Sequence, residues 1–360
     1  MKIAQIAPIN LPIPSEYGGV ERVVENLTAS LTARGHQVTV FCSGDSTIEN
    51  KEHFIDRHIS GSYMNDSSAM IAHLIHLSKS LQVAEDNFDI IHCHIGYLSH
   101  FFLPFIKKQL IITLHNPLPA GKHPERTEVL EKLRASGLVT ISKDQRKDIP
   151  DNYFLGNVYN GVDIDLFSPG RLADKKEFLF WVGRLEEEKG AHIAIEIAKK
   201  AGLNIILAGK IGFGKGEEYF KAKIKPLIDN DSVIFAEELT KSELIRYYRQ
   251  AKALLMPIQW DEPFGLTAIE AMACGTPVIA FKRGALSEII EDKKNGYLID
   301  NSDSVTAAEI AKKIAEMNID SYGKISESAR QRVLNNFSLE KMTEGYISIY
   351  EKALKIQAEV

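Results

Sequence analysis

The sequence predicts two doubly wound α/β domains, each built on a parallel sheet. Three observations carry this expectation. Short β-branched runs alternate with helix-length stretches from end to end, which implies right-handed strand–helix–strand crossovers. Several of those runs are continuously apolar, as strands covered on both faces are. A length of 360 residues suits two domains, each large enough to bury a core.

The elements follow in order. In the first half the strand candidates are Ile3–Pro8, Gln37–Cys42, Asp89–His94, Leu110–His115 and Leu138–Ser142. In the second half they are Phe178–Val182, Asn204–Ala208, Ser232–Phe235, Ala253–Pro257 and Pro277–Phe281. Ser67–Ala84 reads as a weakly charged helix. Asp165–Lys176 carries Pro169 and Gly170 and then a charged cluster, so it reads as the linker. The division gives a first domain of residues 1–165 and a second of residues 166–337. Ser338–Leu354 reads as an amphipathic helix capped by Ser338; a helix over 338–357 is expected to pack back on the first domain. Ligands of doubly wound sheets bind beyond the carboxyl ends of the strands. With two such domains facing each other, the cleft between them is the expected site.

Composition narrows the class. The chain has 43 basic and 48 acidic side chains for a net charge of −5, with 44% hydrophobic and 25% charged residues. Disorder, collagen and a disulfide scaffold are excluded. Mild acidity gives no reason to expect nucleic acid or an anionic membrane as the main partner. Cys42, Cys93 and Cys274 are scattered in apolar runs with no CxxC, so they read as reduced, buried thiols and point to the cytoplasm. The opening MKIAQIAPINLPIP reads as a first strand rather than a signal peptide. No apolar run approaches the roughly 18 residues of a membrane span.

Three segments carry chemistry. The strongest is DEPFGLTAIEAMACGTPVIA, Asp261–Ala280. Pro263 suits the first turn of a helix running through Met272, which Gly275 and Pro277 stop. Glu262 and Glu270, if both helical, would be about 12 Å apart at 1.5 Å per residue. That exceeds the roughly 5–9.5 Å of a glycosidase carboxylate pair. Two carboxylates so spaced suit the two ends of one extended ligand. The amides of Phe264, Gly265 and Leu266 would face that ligand from the helix N-terminus, which favours anions. The alternative is a capping Glu262 and a buried, hydrogen-bonded Glu270.

The second segment is FLFWVGRLEEEKG, Phe178–Gly190. Arg184 lies at the strand's carboxyl end, and Lys189 starts a helix. Two cations across that turn could clamp a diphosphate through charge-assisted hydrogen bonds of roughly 1.5–3 kcal/mol each. The alternative is Lys189 paired with Glu186–Glu188 on a solvated loop. The third segment is EYGGVERVVE, Glu16–Glu25, where Gly18 and Gly19 follow the first strand and allow close backbone approach to a phosphate or sugar.

Together these segments resemble the retaining glycosyltransferases of family 4, which have the GT-B fold. Glu262 and Glu270 match the family's E-x7-E, Arg184 and Lys189 its R…K pair in VGRLxxEKG, and Asn160–Asp163 its NGVD. The resemblance covers essentially the whole chain. It implies that Glu270 binds the nucleotide ribose, that Arg184 and Lys189 bind the diphosphate, and that Glu262 with the following amides holds the donor sugar. His115, ending TLH on a first-domain strand, matches a histidine beside the transferred sugar. EYGGVERVV and FCSGDS also resemble the opening stretches of glucosyltransferases acting on pterins.

The implied reaction moves a hexosyl group from a nucleoside diphosphate sugar to an acceptor hydroxyl, retaining the anomeric configuration. UDP-glucose is the favoured donor. Two cations already serve the departing diphosphate, so no metal or other cofactor is expected. The first domain holds 15 basic and 19 acidic side chains and no obvious basic amphipathic helix, Lys122–Lys147 having mixed charge. A small soluble acceptor is therefore favoured over a lipid, with peripheral membrane contact left open.

Other features weigh differently. His92 and His94 share a strand face and could meet a metal; no third ligand accompanies them, so they read as cleft-lining residues. His73 and His76 read as surface or packing residues. GKIGFGKG, Gly209–Gly216, matches G-x4-G-K, but Gly216 stands where a Walker motif needs a hydroxyl. It reads as a glycine-rich turn near the donor. A P-loop-like NTPase, an NAD-dependent oxidoreductase and a non-catalytic nucleotide-sugar binder are the alternative functions.

Overall fold

The computed structural model of the chain describes residues 1–15, 18–59, 66–116, 128, 137–147, 149–212 and 214–358. The chain forms two compact units. One comprises Met1–Gly161 and Leu339–Val360, the other Val162–Ser338.

The first unit carries strands β1 (Lys2–Ile6), β2 (Gln37–Phe41), β3 (Lys51–Glu52), β4 (Ile90–Cys93), β5 (Leu110–Leu114), β6 (Leu138–Thr140) and β7 (Phe154–Asn157). They pair in the order β3-β2-β1-β4-β5-β6-β7, every pair parallel. Helix α1 (Gly19–Ala33) buries Val23, Val24, Leu27 and Leu31, an i, i+4, i+8 stripe. Helix α2 (Ser67–Asn87) starts where the Asp66 carboxylate accepts the Ser68 and Ala69 amides. Its histidines are not surface residues: His73 and His76 are fully buried. The His76 Nε2 lies 3.1 Å from the Ala7 carbonyl, and the Ile9 amide donates to His73 Nε2 at 3.3 Å. They therefore pin the segment that leaves β1.

The second unit carries β8 (Phe178–Val182), β9 (Asn204–Ala208), β10 (Val233–Phe235), β11 (Ala253–Met256), β12 (Val278–Phe281) and β13 (Gly296–Ile299). Their order is β10-β9-β8-β11-β12-β13, again all parallel. The helices are α3 (Ala191–Ala201), α4 (Lys215–Tyr219), α5 (Lys241–Gln250), α6 (Leu266–Ala273), α7 (Leu286–Ile289), α8 (Ser304–Ala315) and α9 (Ile319–Asn336); α10 (Leu339–Ala358) belongs to the first unit. Leu179, Trp181, Leu207, Leu255 and Phe281 of the sheet pack with Ile195 of α3 and Ala307, Ala311 and Ile314 of α8. Each large side chain so buried contributes roughly 1.5–3 kcal/mol.

In both sheets the strand order reverses beside the first strand, between β1 and β4 and between β8 and β11. A crevice opens there at the carboxyl ends, because successive crossovers leave on opposite faces. The sequence reading lacks β3, β7 and β13. β3 is two polar residues at a sheet edge. β7 contains Gly156, where a Cβ would lie 2.6 Å from Ile349 Cδ1 of α10. Phe154 and Leu155 of this strand are buried, and Gly156 lets α10 close against it.

Candidate active site

At the second unit's switch point, the loop after β8 meets the loop after β11. Glu187–Lys189 form a single 3-10 turn, and α3 begins only at Ala191, after Gly190. Gly190 has φ 73°, and a Cβ on it would lie 2.1 Å from the Pro257 carbonyl oxygen. Glycine here lets the two loops touch. The Gln259 amide donates to the Glu188 carbonyl at 2.7 Å, and the Trp181 indole donates to the Lys189 carbonyl at 3.1 Å.

This stapling brings Lys189 to Glu262. The ammonium donates to Glu262 Oε2 at 2.9 Å, the Trp260 indole N–H donates to the same oxygen at 3.0 Å, and Lys189 Nζ stands 4.2 Å from the Trp260 ring centroid. The two charged side chains are 18% and 13% exposed, so this pair is shielded from the screening that weakens surface bridges. Lys189 thus pairs across the crevice, not with Glu186–Glu188. Glu186 instead pairs with Arg184 at 3.2 Å, whose side chain is 62% exposed.

Helix α6 begins at Leu266, not at Pro263, with Gly265 as N-cap at φ 104°. Glu262 therefore lies outside the helix, and a spacing computed for two helical positions does not apply to it. Its carboxylate caps nothing: no side chain caps α6. Its carbonyl accepts from the Ala285 amide at 2.9 Å, which fixes the backbone that presents it. Among the described residues the Gly265 and Leu266 amides donate to no group, as expected for the first turn of a helix. The Phe264 ring is sealed inside, edge-on to Phe337 at 5.9 Å. Glu270 is 1% exposed and accepts from the Tyr248 hydroxyl at 2.9 Å.

The Gly209–Gly216 turn lies beside the Arg184 turn. The Leu185 amide donates to the Lys210 carbonyl at 2.8 Å, and Leu185 bridges Ile211. Phe213 lies outside the described residues.

At the first unit's switch point, Gly18 is the N-cap of α1 and Gly19 its first residue. His115 follows β5. Its Nε2 lies 2.9 Å from His94 Nδ1. His92 and His94 are not cleft-lining: they are 0% and 3% exposed, and every ring nitrogen of the two has a protein partner. His94 Nε2 faces Gln5 Oε1 at 2.6 Å, while His92 Nδ1 faces the Tyr350 hydroxyl at 2.8 Å and its Nε2 faces Thr113 Oγ1 at 2.7 Å. Burial pushes His92 and His94 well below their ordinary range and His115 down to about 3. Residues 122–127 and 129–136, within the mixed-charge stretch Lys122–Lys147, lie outside the described residues, as do Glu16 and Tyr17.

Sequence reasoning missed Trp260, Tyr248 and Gln5. Trp260 adjoins the Asp261–Ala280 block, and an aromatic next to a candidate carboxylate was a usable signal. Tyr248 reaches Glu270 from another helix, and no sequence pattern marks it.

Two family models match the chain in tandem: Glycosyltransferase Family 4 over residues 17–166 and Glycosyl transferases group 1 over residues 163–332. The chain belongs to glycosyltransferase family 4. This glycosyltransferase is 26% identical over 398 residues to spore coat protein SA of Bacillus subtilis, covering 98% of this chain and 100% of that one. Among solved structures it resembles a sucrose-phosphate synthase from Thermosynechococcus elongatus, with TM-score 0.81, 20% identity and 99% of each chain covered. It also resembles the Anabaena HepE protein solved in complex with UDP and glucose, with TM-score 0.75, 22% identity and 97% and 98% covered. The glycosyltransferase has the GT-B fold, two doubly wound parallel-sheet domains. No helix among its described residues is long and apolar enough to cross a membrane.

Proposed function

We propose that this glycosyltransferase moves a hexosyl group from a nucleoside diphosphate sugar, UDP-glucose first among them, to a hydroxyl of a small soluble acceptor, with the anomeric configuration retained. The single observation that carries this reading is the Lys189–Glu262 pair, 2.9 Å apart beside the two unsatisfied amides of Gly265 and Leu266. In this reading Lys189 and Arg184 take the diphosphate, Glu262 and the amides hold the sugar, and Glu270 binds the ribose. Gly18 and Gly19 approach the donor with backbone alone, and His115 stands beside the transferred sugar.

The chemistry follows from charge. As the C–O bond breaks, negative charge grows on the diphosphate and the sugar becomes oxocarbenium-like. Fixed cations and oriented amides stabilise that charge without reorganising, so no metal is required. Lys189 carries three N–H donors. One engages Glu262 and another meets the face of Trp260, which leaves one for phosphate. The acceptor proton then passes to the departing phosphate rather than to a side chain. His115 and His94 are too weakly basic to take it, because burial holds both neutral.

Nucleotide hydrolysis on a P-loop finds no support in Gly209–Gly216, since Gly216 offers no hydroxyl to hold magnesium. The three buried free thiols, Cys42, Cys93 and Cys274, favour a reducing cytoplasm. The deciding experiment incubates the protein with UDP-glucose, with and without an acceptor panel that includes pterins. Slow UDP release without acceptor and an α-linked product by NMR are expected. A β-linked product overturns retention, and donor binding without any UDP release leaves a pure nucleotide-sugar binder.

A further inference from the structure

We propose that a buried hydrogen-bond chain from Tyr350 of α10 through Gln5 and His94 holds His115 in one tautomer, with the proton on Nε2 and a bare Nδ1 left to accept from a ligand hydroxyl. The assignment rests on the reading above that the transferred sugar binds beside His115, and it is carried by atoms of the first unit alone.

The chain has a direction. The Gln5 amide nitrogen donates to the Tyr350 hydroxyl oxygen at 3.0 Å, which turns Gln5 Oε1 toward His94 Nε2 at 2.6 Å. An amide oxygen only accepts, so His94 carries its proton on Nε2. A neutral imidazole has one N–H, so His94 Nδ1 is a lone pair. His115 Nε2 lies 2.9 Å from that lone pair and has to donate to it. His115 is then left with an unprotonated Nδ1. Tyr350, having accepted from Gln5, donates to His92 Nδ1 at 2.8 Å, and His92 Nε2 donates to Thr113 Oγ1 at 2.7 Å. The direction is therefore consistent from Thr113 to His115.

Both histidines are neutral at physiological pH because burial disfavours their charged forms. Gln5, His92, Thr113 and Tyr350 are 0% exposed, so water does not compete for these bonds. His115 itself is partly exposed, and its Nδ1 has no partner among the described residues. The other ring nitrogens of this network, both of His92, both of His94 and Nε2 of His115, each have a protein partner. A group that completes His115 Nδ1 must have a proton to give, as a sugar hydroxyl does and as a carboxylate, an ionised phosphate oxygen or a fluorine does not. Gln5, His94 and Tyr350 are positioning residues in this scheme. They touch no ligand and act by fixing which nitrogen of His115 is bare.

The test uses the whole protein with 15N-labelled histidine. A two-bond 1H–15N spectrum reads the tautomer directly, with His115 signals assigned by comparison with His115→Asn. An Nε2-protonated His115 is expected; the Nδ1-protonated form or an even mixture overturns the proposal. This readout does not depend on turnover. Failure of the glycosyl-transfer reading would appear separately, as absence of UDP release by the unaltered protein. Tyr350→Phe removes the group that orients Gln5. It is expected to mix the His115 tautomers and to raise the UDP-glucose KM about two- to tenfold, the range of one neutral hydrogen bond. A variant that loses thermal stability while keeping both the spectrum and KM assigns Tyr350 to packing alone and overturns its positioning role. Deoxy and deoxyfluoro analogues of UDP-glucose supply the ligand side. At the hydroxyl facing Nδ1, hydrogen and fluorine should lose binding equally; recovery by fluorine would mean that His115 donates there, against the proposal.

Discussion

Lys189 and Glu262 stand 73 residues apart in sequence and 2.9 Å apart in space, and the Trp260 indole donates to the same carboxylate oxygen. A half-buried ion pair left without one partner is destabilised, because the remaining charge keeps its desolvation cost. Lys189→Ala is therefore expected to lower both stability, by about 1–3 kcal/mol, and turnover, by about 10² or more. Glu262→Gln keeps an acceptor for the indole, so its stability loss should be smaller. Thermal unfolding and UDP-release rates on both variants check this. Both variants keep the indole bond to residue 262, so unchanged unfolding in both would mean that this bond, not the ion pair, carries the local energetics.

Arg184 behaves differently because it sits 62% exposed against Glu186. An exposed pair of this kind contributes at most about 1 kcal/mol. Arg184→Ala should leave the unfolding temperature essentially unchanged while cutting turnover by at least about 10², the scale of one lost preorganised donor to a developing anion. Near-normal transfer by this variant would remove Arg184 from the diphosphate role.

Tyr248 and Glu270 allow a test of the ribose assignment. Tyr248→Phe leaves the Glu270 carboxylate in place and removes the 2.9 Å hydrogen bond that orients it. Glu270→Gln removes the charge itself. Calorimetry with UDP should show weaker binding for both, with the larger loss for Glu270→Gln, and little change in affinity for free glucose. Unchanged UDP binding by both variants would assign Glu270 to packing.

How much of this was legible in the sequence depends on where each specification resides. β8 and β9 were read to the residue, because continuous apolar runs bounded by turns encode strands locally. β3 and β7 were not, since β3 is two polar residues and β7 is a four-residue strand, FLGN, whose apolar run is too short to stand out. Glu262, Glu270, Arg184 and Lys189 were all singled out from motif spacing. Their partners were not, because contact between the β8 and β11 loops depends on Gly190 lying against Pro257, a tertiary event with no periodic trace. The start of α6 was misread for a related reason. Pro263 fits a first helical turn, but the positive φ of Gly265 delays the helix and frees Glu262 to turn toward Lys189. The buried histidines show the same limit. His92 and His94 share a face by strand periodicity, yet His92 meets Tyr346 and Tyr350 of α10, more than 250 residues downstream, and His94 meets Gln5 and His115.

Acid stability should expose the buried histidines. Burial holds His76 down to about 4, against an ordinary value of 6.5. The unfolded chain therefore binds a proton that the folded one refuses. His76's contribution is full above about pH 6.5 and is lost as pH falls through 4. The gap corresponds to about 3 kcal/mol at 1.36 kcal/mol per pH unit. His76→Gln keeps a donor for the Ala7 carbonyl and has no proton to gain. Urea unfolding at pH 7 and pH 4.5 should show the variant gaining on the natural protein toward acid. Parallel pH profiles would mean that His76 is not what titrates.

Glu21 carries the opposite dependence. It lies in the first turn of α1 with its Oε2 where a Cβ on Gly18 would sit, 2.2 Å from that position. Gly18 thus makes room for a carboxyl group tucked under the turn after β1. Burial raises its pKa from 4.5 to about 7. The folded chain holds this proton more tightly than the unfolded one, so the contribution is full below about pH 4.5 and is lost as pH rises through 7. Above pH 7 the protein carries an ionised carboxylate in an apolar setting, at a cost of about 3 kcal/mol. Glu21→Gln fills the same space without a charge. It should raise the unfolding temperature at pH 8 and leave it nearly unchanged at pH 4.5. An equal gain at both values would mean that shape rather than ionisation sets the cost of Glu21. If the variant also loses turnover at pH 8, the ionised carboxylate is used by the site beside Gly18 and Gly19, which would explain why a destabilising group stands there.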